Sequence, residues 1–261
     1  MPSVMIEGRS VYFEDVGEGT PVLLLHGFPF SSETFWPQLE QPPRGARLIV
    51  PDHRGFGRSS PGTGALTMEG IASDALHVLD VLGLETAVVG GVSMGGYASM
   101  ALARLAPKRA RALVLIDTQH GADDDAGRAR REATAVEVEA MGAKVVAEAM
   151  LPRLLSPSAP AGVRERVDRI MRAQPPAAIA AASRGMAARQ DSGDVLARFA
   201  GPCLIVVGAQ DVITPPAKAQ AMASLLKDAE LEIIDGAGHL ANLERPLPFA
   251  VALERFLGRL R

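Results

Sequence analysis

Short apolar runs alternate with longer amphipathic stretches along most of the chain. The apolar runs predict strands at residues 22–25, 48–50, 87–90, 113–116, 204–207 and 231–234. Residues 4–13 predict an earlier hairpin that turns at Glu7-Gly8. The 3.6-residue pattern predicts helices at residues 67–82, 94–105, 217–226 and 248–260. This alternation indicates an α/β fold, with a mostly parallel sheet that carries helices on both faces.

The alternation stops between about residues 118 and 192. This segment contains no Phe, Tyr or Trp, and its helical patterns fall at residues 126–150, 163–173 and 176–189. Because it follows a strand that ends at Asp117, we expect it to cover the carboxyl ends of the strands as a helical cap. The predicted domains are therefore an α/β core, residues 1–118 and 193–261, and a cap insertion, residues 119–192.

Composition agrees with one large α/β domain or a core with a small insertion. The 261 residues are 48% hydrophobic, and the formal net charge is −3, so we expect neither a nucleic-acid nor a membrane partner. With no signal-like segment and no apolar run of spanning length, a cytoplasmic protein is expected. Cys203 is the only cysteine and is predicted to be a small buried core residue.

Residues 91–95 read Gly-Val-Ser-Met-Gly and lie between an apolar run and an Ala-rich helical stretch. A G-x-S-x-G pattern in this setting is typical of a sharp strand-to-helix turn that exposes the serine hydroxyl. The turn holds the serine in a strained conformation, and glycine fits at both flanking positions because side chains there would clash. The pattern therefore predicts Ser93 as a nucleophile at the amino end of a helix.

A serine hydroxyl needs a general base, and the base needs an orienting acid. His239 is the predicted base, because it follows Ser93 in chain order and lies in a loop after a strand. Asp211 is the predicted acid, because it lies just beyond the apolar run that begins at Cys203. Asp117, which ends another strand, is the alternative acid. The histidines expected to be structural or solvated are His77 and His120.

Most other charged groups are expected at the surface. The acidic run at residues 123–125, with Asp228 and Asp235, is predicted to be solvated loop charge. The arginines within residues 128–131 favour a solvated helix face, with a grip on a carboxylate substrate as the alternative. Arg184 and Arg189 close the insertion and are of more interest.

Five segments, taken in order, resemble motifs of the α/β-hydrolase superfamily. Residues 26–29 (His-Gly-Phe-Pro) resemble its oxyanion loop, and residues 52–59 resemble the loop after its fourth strand. Residues 91–95 resemble its nucleophile elbow. Residues 208–211 resemble the loop of its catalytic acid, and residues 238–239 resemble the loop of its catalytic base. Residues 184–192 resemble the enol-lactonase-like branch. The resemblance implies an α/β-hydrolase fold and an oxyanion hole formed by the backbone N–H groups of Phe28 and Met94. It requires no metal or organic cofactor, and it leaves the oligomeric state open.

These residues together predict a serine hydrolase that cleaves carboxylic esters of small to medium size through an acyl-serine intermediate. The substrate expected is a small ester or lactone. A serine at residue 93 argues against haloalkane dehalogenases and epoxide hydrolases, which the resemblance would associate with aspartate there. Lactonase, carbon–carbon bond hydrolase and cofactor-free perhydrolase activities use the same groups and are alternatives. Outside enzymes, the alternative is a ligand sensor on the same scaffold.

Overall fold

A computed structural model describes residues 3–260. The strands of its sheet are β1 (Ser3–Ile6), β2 (Arg9–Gly17), β3 (Thr20–Leu25), β4 (Ala46–Pro51), β5 (Ala87–Val92), β6 (Ala110–Ile116), β7 (Cys203–Gly208) and β8 (Ala229–Ile234). They lie in the order β1-β2-β4-β3-β5-β6-β7-β8. β2 runs antiparallel to both of its neighbours, and the six strands from β4 to β8 in this order run parallel to one another. The predicted mostly parallel sheet is confirmed.

The first hairpin forms where the sequence predicted it. Ile6 pairs with Arg9 across the turn, and the two residues between them have positive φ, 48° at Glu7 and 77° at Gly8. Two consecutive positive φ values give the turn the twist that two antiparallel strands require.

Residues 3–260 contain eleven α-helices, and helices pack on both faces of the sheet. They are α1 (Trp36–Glu40), α2 (Met68–Val81), α3 (Met94–Leu105), α4 (Asp125–Met141), α5 (Lys144–Leu154), α6 (Ala161–Arg172), α7 (Pro176–Ala187), α8 (Gly193–Arg198), α9 (Pro216–Leu225), α10 (Ala241–Glu244) and α11 (Pro246–Arg259), with a short 3-10 helix at Ser32–Phe35. Within residues 3–260, no helix combines the length and apolar character needed to cross a membrane.

Strand β3 shows why the strands read as continuous apolar runs. Its side chains alternate between two separate cores: Leu23 and Leu25 pack in one, with residues of α2 and α3. Val22 and Leu24 pack in the other, with residues of α11. Since successive side chains of a strand point to opposite faces, a strand covered on both sides needs an apolar residue at every position. Cys203 of β7 is fully buried in the first core, as predicted, and burial raises the pKa of its thiol.

The segment between β6 and β7 contains helices α4 to α8 and no strand. The prediction of one helix over residues 126–150 is wrong, because α4 ends at Met141 and α5 starts only at Lys144. Gly142, which follows α4, has φ of 87°. Glycine is favoured where a helix ends in this left-handed region, which strains other residues. Helix α4 packs against α7, and α5 packs against α6. The division of the chain into core and cap remains a prediction.

Candidate active site

Ser93 lies between β5 and α3, where the chain reverses from strand to helix. Its backbone has φ of 52° and ψ of −111°, a positive φ that is strained for a residue with a side chain. The neighbouring strand end holds this conformation: Ser93 N–H donates to the carbonyl of Ile116 at 2.9 Å, and the Thr118 hydroxyl donates to the carbonyl of Ser93 at 2.8 Å. The predicted sharp turn is present.

The two glycines of the pattern are required by space. A Cβ on Gly95 would lie 1.9 Å from the carbonyl oxygen of Leu25, on the adjacent strand β3. A Cβ on Gly91 would lie 2.4 Å from the backbone carbon of Gly95. Both obstacles are backbone atoms, which cannot move aside as a side chain can, so the sharp turn excludes other residues at both positions.

Asp211 and His239 are brought together by the loops that follow β7 and β8. Nδ1 of His239 lies 2.8 Å from Oδ2 of Asp211, and both residues are buried. Asp211 also accepts hydrogen bonds from the N–H groups of Ile213 and Thr214 and from the Thr214 hydroxyl, at 2.7 to 2.9 Å. Burial raises the pKa of Asp211, but its bonds to His239 and Thr214 and the charge of His239 hold that pKa below its ordinary value. This carboxylate is therefore suited to orienting an imidazole.

The nucleophile candidate faces the same edge of the sheet. Val92, the last residue of β5, is level with Ile116, and Ile116 is level with Val206 of β7. The strand that precedes Ser93, β5, thus lies two positions from β7, which precedes Asp211, and three positions from β8, which precedes His239. Among the described residues, no hydrogen bond joins the Ser93 hydroxyl to His239. Catalytic hydrogen bonds are often long without substrate, and the pairing of Ser93 with His239 remains a prediction.

Two backbone donors predicted for an oxyanion hole flank Ser93. A Cβ on Gly27, the residue before Phe28, would lie 3.6 Å from Cβ of Ser93, and Met94 is the first residue of α3. Within residues 3–260, neither the Phe28 N–H nor the Met94 N–H donates a hydrogen bond to another residue. Two free donors beside Ser93 suit a developing oxyanion.

The loop that carries Phe28 rests on two stacked histidines. The rings of His26 and His53 lie 3.7 Å apart between centroids, and both residues are buried. The N–H of His53 donates to Nε2 of His26, so Nδ1 carries the proton of a neutral His26 and donates to the Gly27 carbonyl at 2.9 Å. Burial lowers the pKa of His26 to about 3 and that of His53 well below its ordinary value. Both rings are therefore neutral supports of the loop.

Asp117, the alternative acid, does not contact His239 by a hydrogen bond. Its carboxylate accepts the N–H of Gly208 on one oxygen and the N–H of Ala241 on the other, each at 2.8 Å. Burial, then the charge of Asp211, raises the pKa of Asp117 to about 7. Asp117 is therefore hydrogen-bonded to both segments that carry the predicted acid and the predicted base. Its position at a strand end did not indicate this role.

Glu244 is a further buried residue of this region that the sequence analysis missed. Its two carboxylate oxygens accept the N–H groups of Gly238, at 2.7 Å, and Ser156, at 2.9 Å. Ser156 follows α5, whose last residue, Leu154, accepts the N–H of His239. The loop of the predicted base is thus bonded to the inserted helices. Thr214 was also missed, although a threonine three residues after Asp211 is a recognisable turn signal.

A cavity of about 360 Å³ lies between these loops and the inserted helices. On one side its lining includes Phe28, Tyr97 and Thr214, and on the other side residues of α4 and α5. Tyr97 N–H donates to the carbonyl of Ser93, and Thr214 contacts both Asp211 and His239. The lining of the cavity therefore includes residues that are hydrogen-bonded to Ser93, Asp211 and His239, although these three residues do not line it themselves.

The interpretation of Asp123 as a solvated loop charge is wrong. Its carboxylate pairs with Arg189 at 2.8 Å and with Arg131 at 3.1 Å, and it lines the cavity. Burial raises the pKa of Asp123, but the two guanidinium groups hold it below its ordinary value. Arg189 is buried and lies over the ring of Tyr97 at 4.3 Å.

Among residues 3–260, no group of three or more His, Cys, Asp or Glu side chains is arranged to hold a metal ion.

A sequence profile described as alpha/beta hydrolase fold matches residues 20–246. The chain belongs to this family. The resemblance to the α/β-hydrolase superfamily that the five motifs indicated is confirmed, and the similar proteins include an esterase and an enol-lactonase.

Among similar proteins, a thermophilic esterase from Thermogutta terrifontis, in a malate-bound structure, is 37% identical and has a TM-score of 0.95. That comparison covers 99% of this chain and 97% of the esterase. A 3-oxoadipate enol-lactonase 2 from Acinetobacter baylyi is 29% identical over 81% of this chain and 79% of the enol-lactonase. AB hydrolase superfamily protein YisY from Bacillus subtilis is 38% identical over 34% of this chain, and this segment spans 34% of that protein.

Proposed function

We propose that this α/β-hydrolase cleaves carboxylic esters of small to medium size by acyl transfer from a serine to water. One observation carries the proposal: a buried Asp211–His239 pair lies at the strand edge from which the strained Ser93 turn also projects. Esterase and enol-lactonase relatives support a hydrolytic reaction at a carboxylic ester.

In the proposed reaction, His239 takes the hydroxyl proton of Ser93 as the serine oxygen attacks the substrate carbonyl. Asp211 holds Nδ1 of the imidazole, which leaves Nε2 to accept that proton, and stabilises the imidazolium that forms. The Phe28 and Met94 N–H groups bind the oxyanion. His239 then gives its proton to the leaving alcohol, and later activates the water that releases the acid from Ser93.

Helices α4 to α7 act as the cap of this site in our proposal. Residues of α4 and α5 line the cavity that borders Phe28 and Thr214, and the end of α5 is bonded to His239. A substrate in the cavity would therefore touch both the cap and the loops that perform the chemistry.

A lactonase is the second candidate function. An enol-lactonase is similar over four-fifths of both chains, and a lactone is an ester whose alcohol remains attached after ring opening, so the same groups serve both reactions. Steady-state assays of short 4-nitrophenyl esters and of lactones, run in parallel, separate the two by their kcat/KM values.

The test of the proposal is Ser93→Ala assayed with 4-nitrophenyl butyrate. We expect kcat to fall at least about 1,000-fold while the urea unfolding curve stays close to that of the unchanged protein, because only the attacking atom is removed. More than a tenth of the original kcat in the variant would reject Ser93 as the nucleophile. A ligand sensor, the non-enzyme alternative, would turn over simple esters far below about 1 s⁻¹ while its melting temperature rises on ligand binding.

A further inference from the structure

The cavity beside the candidate site has a wall of arginines. Arg130 and Arg131 of α4 and Arg153 of α5 line it, opposite Phe28 and Thr214. We call these three residues the arginine wall. The sequence favoured a solvated helix face for the arginines within residues 128–131, with a grip on a carboxylate substrate as the alternative; two of them, Arg130 and Arg131, line the cavity.

Two members of the arginine wall have no acidic partner. Arg131 pairs with Asp123, whereas neither Arg130 nor Arg153 forms an ion pair with any residue from 3 to 260. Some other arginines of the inserted helices are paired: Arg128 with Asp125, and Arg184 with two glutamates. Arg164 and Arg169 of α6 also form no ion pair within residues 3–260, but neither lines the cavity. Of the three arginines in the arginine wall, Arg130 and Arg153 are therefore the two without an acidic partner.

The acidic residues of the cavity do not cancel this charge. Asp123 is neutralised twice, by Arg131 and by the buried Arg189. Glu137 is the other carboxylate that lines the cavity. Arg189 contacts Asp123 without lining the cavity, so four guanidinium groups lie at or beside the cavity against two carboxylates, which leaves a net positive charge there. Arg130 and Arg153 are exposed to solvent, so added salt should screen their attraction for an anion.

We propose that the cavity selects substrates whose acyl portion carries a second, free carboxylate, which Arg130 and Arg153 bind while the ester carbonyl lies near Ser93. This inference rests on the proposed ester hydrolysis and narrows its substrate class. A guanidinium presents two parallel N–H donors to a carboxylate, so arginine suits this contact better than a single ammonium group does.

The test compares an anionic ester with a neutral one of the same length. 4-Nitrophenyl hydrogen adipate carries a free carboxylate, and 4-nitrophenyl heptanoate replaces it with an ethyl end. We expect kcat/KM of the unchanged protein to be about tenfold higher for the adipate at low ionic strength, and this ratio to fall toward one as salt is added. Arg130→Gln and Arg153→Gln should each lower the ratio about fivefold, chiefly through KM for the adipate.

Arg128→Gln is the matched control. Arg128 lies on the same helix, is paired with Asp125 and does not line the cavity, so its loss should leave the ratio within about twofold. A ratio near one in the unchanged protein, or equal ratios in all three variants, would overturn the arginine-wall proposal even if Ser93-dependent hydrolysis is intact.

Binding of free adipate dianion tests the arginine-wall proposal independently of the proposed ester hydrolysis. We expect adipate to raise the melting temperature of the unchanged protein, and Arg130→Gln and Arg153→Gln to reduce that rise, whether or not esters are hydrolysed. If no ester is cleaved but this pattern holds, ester hydrolysis is wrong and the anion site stands. An equal rise in all proteins, or none in the unchanged protein, overturns the anion site.

Discussion

The backbone N–H of His239 donates a hydrogen bond to the carbonyl of Leu154, the last residue of α5. The predicted base is therefore bonded to the inserted helices as well as to Asp211. Glu244 strengthens the same junction, because its carboxylate accepts one N–H from each side, Gly238 and Ser156. Movement of α5 relative to the core would have to disturb the loop of the base.

Removal of this junction should affect both stability and turnover. Glu244→Ala leaves two buried N–H groups without an acceptor, which we expect to lower the free energy of unfolding by about 2–5 kcal/mol. Misplacement of His239 should lower kcat/KM for 4-nitrophenyl butyrate about tenfold. Urea unfolding and steady-state kinetics measure the two effects. Glu165→Ala, an exposed position on α6, is the control and should change neither; equal behaviour of the two variants would contradict the role given to Glu244.

Substitution of Asp211 should mainly lower kcat, whereas substitution of Asp117 should mainly lower the free energy of unfolding. Asp211→Asn keeps the shape but loses the charge that orients His239, so kcat should fall by about 10³–10⁴. Asp117→Ala leaves the Gly208 and Ala241 N–H groups unpaired and should cost about 2–5 kcal/mol of unfolding free energy, with a smaller loss of kcat in the fraction that folds. If Asp117→Ala, corrected for folded protein, lost more activity than Asp211→Asn, the acid would be misassigned.

The Ser93 turn should tolerate no side chain at Gly95. The substitution Gly95→Ala places Cβ against the carbonyl oxygen of Leu25 at a separation that no folded backbone allows, and we expect a loss of at least about 3 kcal/mol or failure to fold. Gly258→Ala is the matched control, since the position lies within α11 and has open space around it. There the change should be neutral or stabilising by up to about 1 kcal/mol. Similar unfolding free energies for both variants would show that the turn is looser than described.

The buried histidines should make the protein less stable in mild acid. Unfolded histidine has a pKa near 6.5, whereas burial lowers the pKa of folded His26 to about 3 and that of His53 well below its ordinary value. Above pH 6.5 these histidines are neutral in both the folded and the unfolded chain, so they do not lower the free energy of unfolding. As pH falls below 6.5, the unfolded chain takes up protons that the folded chain refuses, so the free energy of unfolding falls by about 1.4 kcal/mol per pH unit for each histidine.

Urea unfolding at pH 6 and pH 5 checks this sign. Between pH 6 and pH 5, the free energy of unfolding of His53→Gln should fall by about 1 kcal/mol less than that of the unchanged protein. His77→Gln, at an exposed position of α2, should lose as much as the unchanged protein. A steeper loss in His53→Gln than in the unchanged protein would mean that His53 is charged in the folded state.

Much of the fold follows from patterns confined to neighbouring residues. The apolar runs located β3 to β7, because strands covered on both faces carry few polar residues. The edge strand β8 carries Glu230 and Glu232 and was located from its apolar end. Helix α3 was predicted with its observed bounds, residues 94–105. Helix α4 was predicted too long, because one glycine, Gly142, ended it within an otherwise helical pattern.

The supports of the site were harder to predict than its central residues. A local pattern predicted the strained turn at Ser93, and chain order predicted the contact of Asp211 with His239; both are present, while the catalytic roles of the three residues remain predictions. Glu244 and Asp117 act by accepting N–H groups from segments up to 124 residues away, and nothing in their neighbours marks such a bond. The pairing of Asp123 with Arg189 likewise depends on how α4 and α7 pack, which the spacing of residues within one helix does not determine.

Covalent labelling tests the central claim most directly. A fluorophosphonate ester reacts with an activated serine and leaves a stable phosphonyl group on its oxygen, so intact-mass measurement followed by peptide sequencing locates the nucleophile. We predict one adduct per chain, on Ser93, formed much more slowly in Asp211→Asn and absent in Ser93→Ala. Turnover of esters by a protein that carries no adduct, or an adduct on another residue with Ser93 unmodified, would contradict the account.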